Sequence, residues 1–173
     1  MRKNQIRALC LCALFAALTA ALNQVFIPLA AVPFTLATLA VYCSGAMLGA
    51  KYGALSQTVY MLIGASGLPV FSMMRGGLEV ILGPRGGYIF GFIAAAWLIG
   101  FIVKRSGYKM YILAISAGAG TMFIVAVCWY MFVMKAGVWS ALTVCVFPLL
   151  PGETAKIVLA ALLSRRMRGV VSL

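Results

Sequence analysis

Apolar stretches long enough to cross a lipid bilayer recur along this chain, from Ile6 near its start to Leu163 near its end, with few charges between them. A membrane α-helix needs about 20 mostly apolar residues, and backbone groups in lipid must be satisfied within the spanning structure, so helices are the fold such a pattern favours. Composition agrees: 65% of the 173 residues are apolar and 9% charged, with a mean hydropathy of +1.10. An average soluble domain is roughly 25% charged. The expectation is an all-α integral membrane protein, a single compact bundle over residues 1–173.

Six spans are expected, at about residues 6–26, 35–50, 53–65, 87–103, 108–133 and 140–163. The second and third are short and separated only by Lys51 and Tyr52. The first follows Arg2 and Lys3 and carries Arg7 at its start, as a signal peptide would, but it is longer than an h-region and runs straight into more membrane sequence, so it is read as the first helix.

The basic residues orient the bundle. With the N-terminus cytoplasmic, inside segments hold Arg2, Lys3, Arg7, Lys51, Lys104, Arg105, Lys109, Arg165, Arg166 and Arg168, ten of the fourteen basic residues. Outside segments hold Arg75, Arg85 and Lys135. An even number of spans with both termini inside satisfies the positive-inside rule. The net charge of +12 is then topology and attraction to anionic lipid, not a nucleic-acid surface.

The missing residue types exclude chemistry. There is no His and no Asp, so His-dependent triads and carboxylate metal clusters cannot be built, and a membrane enzyme is not expected. The five cysteines stand in apolar surroundings and are read as core residues rather than redox or metal groups. Ala13, Ala17 and Ala21 form a four-residue stripe on the first helix, as do Gly45, Gly49 and Gly53 further on; small residues at this spacing let helix backbones approach closely in lipid.

Two segments carry polar groups that lipid alone would not tolerate. Residues 67–88 are too broken by Gly and Pro for a membrane helix and too apolar for a solvated loop, so they are read as a folded lid over an outward-facing pocket. Arg85 and the amides at Gly87 and Tyr88, opening the fourth helix, are candidates to hold an anion. The second segment holds Glu153, one of only two carboxylates in the chain, three residues before Lys156. Pro148 and Pro151 break the last span just before them, and at i and i+3 the two side chains share one face of the turn that follows. At about 1.5 Å per residue from Leu163, Glu153 lies some 15 Å from the inner end. Ionisable groups at that depth point to a functional site. Tyr42, Tyr60, Phe71 and Tyr88 are candidate walls, and Asn23, Gln24 and Gln57 are further polar groups at membrane depth. Cation, carboxylate, aromatic walls and amides suit a compact organic acid, and spacing alone goes no further.

At these residues the chain resembles the BioY family, the biotin-specific capture component of energy-coupling-factor (ECF) transporters. The motifs are the alanine stripe, Gly67-Leu68-Pro69 with Gly76-Gly77, Leu82-Gly83-Pro84-Arg85-Gly86-Gly87-Tyr88, and Phe147-Pro148-Leu149-Leu150-Pro151-Gly152-Glu153-Thr154-Ala155-Lys156. The resemblance implies six helices that bind biotin tightly from outside, in the cytoplasmic membrane of a prokaryote. It implies partners too: a transmembrane coupling protein docking on Ala13, Ala17 and Ala21, and two cytoplasmic ATPases. This chain has no Gly-x-x-x-x-Gly-Lys loop, so any ATP is hydrolysed by partners, and no covalent cofactor is expected. On this resemblance Glu153 is expected to accept from the ureido ring and Lys156 to donate to the ureido oxygen or offset Glu153, while Arg85 or Arg75, cations this chain adds, is expected with the amides near Gly87 and Tyr88 to take the carboxylate. The chain departs from the family pattern in having Glu rather than Asp at 153, Arg rather than Thr or Ser at 85, and the bulky, charged Met73-Met74-Arg75. Capture of another vitamin, or transport without the ATPase module, remain alternatives.

Overall fold

A computed structural model describes residues 3–27, 33–105 and 110–171. Arg2, Tyr108 and Lys109 lie outside the described residues, as do the side chains of Lys3, Arg105 and Arg168. Seven helices and one short strand pair make up the described chain. Helix α1 spans Lys3–Asn23, α2 Ala37–Ala65, α3 Leu78–Leu82, α4 Gly86–Arg105, α5 Met110–Met134, α6 Val138–Cys145 and α7 Leu150–Val171.

Three of these helices, over Gln5–Asn23, Gly86–Lys104 and Met110–Met134, are long and apolar enough to cross a membrane. The bent pair α6 and α7 forms a fourth such stretch, with a 56° bend between its two parts. The chain is a multi-pass membrane protein. Helix α1 stops at Asn23, three residues short of the expected end; Phe26–Ile27 (β1) instead pairs antiparallel with Phe34–Thr35 (β2). The 67–88 segment, expected to be non-helical, contains the single turn of α3.

Helix α2 merges the two short spans, and the corner between them falls at Gly49 rather than at Lys51 and Tyr52. Gly49 has φ 78° and ψ 178°, a backbone conformation that costs a residue with a Cβ and leaves Gly free. The two arms, 37–48 and 50–65, fold back on one another. A Cβ added at Gly53 would sit 2.9 Å from the Gly45 Cα, whereas eight residues of straight helix separate atoms by about 12 Å. Gln57 Nε2 donates to Ser44 Oγ across the hairpin at 3.1 Å. The small-residue stripe at 45, 49 and 53 is therefore the seam of a helical hairpin.

Helix α4 packs between this hairpin and α5. Its Gly100 lies directly against the corner, where an added Cβ would meet the Ala50 nitrogen at 2.1 Å and the Gly49 carbonyl carbon at 2.3 Å. Both obstacles are backbone and cannot rotate away. Gly100→Val is expected to cost about 1–3 kcal/mol or more through overpacking. The apparent Tm of the purified variant in detergent checks this, and an unchanged Tm contradicts it.

Candidate functional site

The α6–α7 bend creates the site. Residues 146–149 form a turn between the two helices, and α7 restarts at Leu150 with Glu153 in its first turn. Gly152 lies against the Phe34 ring, where a Cβ would come within 2.1 Å, so this turn presses close to the chain just before arm 37–48.

Glu153 and Lys156 are both buried, at 1% and 3% exposure, and their side chains are in direct contact. Every proton of the Lys156 ammonium has an acceptor: the Thr35 carbonyl at 2.9 Å, Thr38 Oγ1 at 2.7 Å, and Glu153 Oε1. The ammonium also lies 4.1 Å from the centre of the Phe34 ring, a cation–π contact. Glu153 accepts from Lys156 and from Thr38 Oγ1 on one oxygen, and from the Tyr42 hydroxyl at 2.7 Å on the other. A carboxylate offers about four lone-pair sites. Three are taken and the fourth is on Oε2.

That carboxylate lines a cavity, and Lys156 does not. The walls come from almost every element: Asn23 of α1, Thr38 and Tyr60 of the two arms of α2, Phe71 and Ser72 of the connection, Tyr88 and Phe92 of α4, with Arg85 in the turn before α4. The cavity holds about 560 Å³ of empty space, including the part open to solvent. The ring of Tyr60 meets Phe71 edge-on at 5.6 Å and Phe92 at 6.5 Å, so the middle of the cavity is aromatic.

The connection is fastened by the end of α1. Gln24 Nε2 donates to the Pro69 and Phe71 carbonyls, both at 3.2 Å, and Gln24 Oε1 accepts from the Met74 amide at 3.3 Å. Asn23 Nδ2 donates to the Tyr60 hydroxyl, which donates on to the Val70 carbonyl at 3.2 Å. Between these anchors Met73 and Met74 have φ of 64° and 56°, left-handed values that are uncommon for residues other than Gly, Asn and Asp. Strain of this kind persists where surrounding contacts over-determine the loop.

Not all the residues expected to act together do so. Glu153, Arg85 and Tyr88 line the one cavity. Arg75 is exposed and lines a neighbouring outer basin with Glu79, Arg85 and Tyr130. Arg85 is half-buried, with Nη1 3.5 Å from Met73 Sδ. Burial, and then the neighbouring Arg75, push its guanidinium below the usual arginine range. Of the two amides expected to hold an anion, at Gly87 and Tyr88, the second is engaged within the chain. The Tyr88 amide closes a tight first turn onto the Arg85 carbonyl at 3.1 Å, and Gly87 is the contact point with α5, where a Cβ would lie 2.6 Å from Trp129 Cβ. The Tyr88 hydroxyl donates to the Cys145 carbonyl, one of the carbonyls left over where α6 ends.

Thr35, Thr38 and Phe34, which hold the charged pair, were not legible beforehand. The available signal was Thr38 and Tyr42 at i and i+4, two hydroxyls on one face of the first arm of α2. Tyr42, expected as a wall, is a hydrogen-bond donor to Glu153. Ala13, Ala17 and Ala21 are exposed on the outer face of α1, while Ala16 of the adjacent row is buried in the core.

Comparison with known proteins adds a family to this geometry. Residues 1–172 match the BioY family. The chain is 37% identical over 164 residues to the biotin transporter BioY of Thermotoga maritima, covering 94% of this chain and 96% of that one. It is 36% identical over 177 residues to the biotin transporter BioY of Rhodobacter capsulatus, covering 92% of each. Its fold superposes with a TM-score of 0.89 on the crystal structure of the S-component for biotin from an ECF-type ABC transporter, at 27% identity, over 98% of this chain and 95% of that one. With its motifs, its fold and nearly its whole length in agreement, the chain belongs to the BioY family.

Proposed function

We propose that this chain captures biotin on the outer side of the cytoplasmic membrane as the substrate-specific component of an ECF-type transporter, a transport component and not an enzyme. The observation that carries this reading is the one open acceptor position on Glu153, in a cavity with aromatic walls and Arg85. Biotin has the matching polarity: a ureido head with N–H donors, an apolar ring and chain, and a terminal carboxylate. A few placed polar groups among apolar walls are what fix the orientation of such a ligand.

In this reading Glu153 accepts from a ureido N–H. Lys156 has no proton left for the ligand, so its part is to offset the carboxylate and hold it in place. Tyr60, Phe71 and Phe92 flank the apolar part, and Arg85 takes the valerate carboxylate, with the field of Arg75 behind it. The mutual repulsion of Arg85 and Arg75 favours an anion at this point. The names of the relatives and of the structural neighbour support the choice of ligand.

The same reading takes α1, the two arms of α2, α4, α5 and the bent α6–α7 pair as six crossings with both termini cytoplasmic, and the glycine-rich 67–88 segment as the cover of the pocket. Power comes from partners, a coupling protein and two cytoplasmic ATPases. The exposed small stripe at Ala13, Ala17 and Ala21 is the docking face, since it lets another helix approach closely in the bilayer.

Isothermal titration of the purified protein with biotin, thiamine and riboflavin tests the reading. Biotin alone is expected to bind, and binding of thiamine or riboflavin without biotin would overturn it. Arg85→Ala is expected to weaken biotin by about tenfold or more, the worth of a charged hydrogen bond, and to weaken the methyl ester of biotin less. Equal losses for acid and ester would remove Arg85 from the carboxylate position.

A further inference from the structure

Arg85 stands at a shared boundary. Together with Val80 it lines both the cavity and the outer basin, so these two side chains form the partition between the two spaces. The basin holds about 910 Å³ of empty space, including the part open to solvent. A ligand seated with its carboxyl group at Arg85 and a chain continuing beyond it would extend toward this basin.

The basin's charges are of both signs. Arg75 and Arg85 contribute two cations, and Glu79, exposed on α3, contributes a carboxylate. The whole chain has only two acidic residues, and this is the one that Lys156 does not neutralise. A carboxylate beside the route of an anionic solute opposes its binding. The same carboxylate assists a solute that brings an ammonium group with its carboxylate.

We propose that the outer basin is a subsite for biotin joined through its carboxyl group, as an amide, to an α-amino acid such as lysine. The α-ammonium group falls to Glu79 and the α-carboxylate to Arg75, while Arg85 donates to the amide carbonyl that replaces biotin's own carboxylate. The chain then takes up biotin in the conjugated form that proteolysis of biotin-bearing proteins releases, as well as free biotin. This inference rests on the biotin reading above.

Competition against radiolabelled biotin on the purified full-length protein separates the two. The competitors are biotin, Nε-biotinyl-lysine, and the pentylamide of biotin, which has a similar tether and no zwitterion. Biotinyl-lysine is expected to bind within about tenfold of biotin, and more tightly than the pentylamide. Glu79→Gln and Arg75→Gln are each expected to weaken biotinyl-lysine by about threefold, the scale of an exposed ion pair, with Glu79→Gln leaving biotin no weaker. Failure of biotinyl-lysine to compete on a protein that binds biotin overturns the subsite and leaves the biotin reading standing. Equal binding of biotinyl-lysine and the pentylamide, unaffected by both variants, overturns the recognition of the amino acid. A protein that binds no biotin at all overturns the biotin reading and this inference with it.

Discussion

Replacing Lys156 by Met is expected to destabilise the protein by about 3–5 kcal/mol, because it leaves the Glu153 carboxylate buried and unpaired. Methionine retains most of the volume of the lysine stem, so the loss reports the charge and not a cavity. Its companion is the double variant Lys156→Met with Glu153→Gln, in which neither site carries a charge. Removal of both members of a buried pair is often close to neutral, so the double variant should recover most of the loss. Unfolding of wild type, both single variants and the double variant in the same detergent supplies the full cycle. A Lys156→Met protein as stable as the wild type would show that the carboxylate is satisfied by Thr38 and Tyr42 alone.

The second large effect is on ligand affinity. Glu153→Ala is expected to weaken biotin about tenfold to a hundredfold, since a hydrogen bond to a charged group is worth about 1.5–3 kcal/mol. Glu153→Gln should fall between Ala and the wild type, as its amide oxygen still accepts but carries no charge. Calorimetric titration at matched folded fractions gives the order. Unchanged affinity in Glu153→Ala would take the residue out of the site, whatever its effect on stability.

The charged pair was legible because the chain is so poor in acids that Glu153 stands out, and because Pro148 and Pro151 mark a break in front of it. Its surroundings were not. Thr35 contributes only a backbone carbonyl, and a carbonyl has no sequence signature. Thr38 and Tyr42 reach Glu153 from 115 and 111 residues away in sequence, so only the closing of the bundle brings them together. The expected corner between the second and third helices fell two residues late for a similar reason. Lys51 and Tyr52 look like a polar interruption, yet an amphipathic side chain at the membrane surface tolerates helix, whereas the left-handed φ at the true corner demands Gly49. The expectation at Gly87 and Tyr88 carried a different ambiguity. A glycine opening a helix can expose its backbone to a ligand or admit a neighbouring helix, and at Gly87 α5 packs where a Cβ would stand. Arg85 reaches both the cavity and the basin whereas Arg75 lines only the basin, with the turn of α3 between them in sequence.

The contact between Glu153 and Lys156 also decides how the membrane potential acts on this part of the molecule. An isolated charge moved across the full field does about 2.3 kcal/mol of electrical work per 100 mV. Two opposite charges in contact within one turn of α7 present only a small dipole, so a displacement of that turn along the membrane normal does almost none. A biotin anion seated on Arg85 would add a second cancelling pair. On the proposed function, inward passage of the loaded pocket would be electrically silent at these groups, and the voltage that drives many ion-coupled carriers would have no purchase on them.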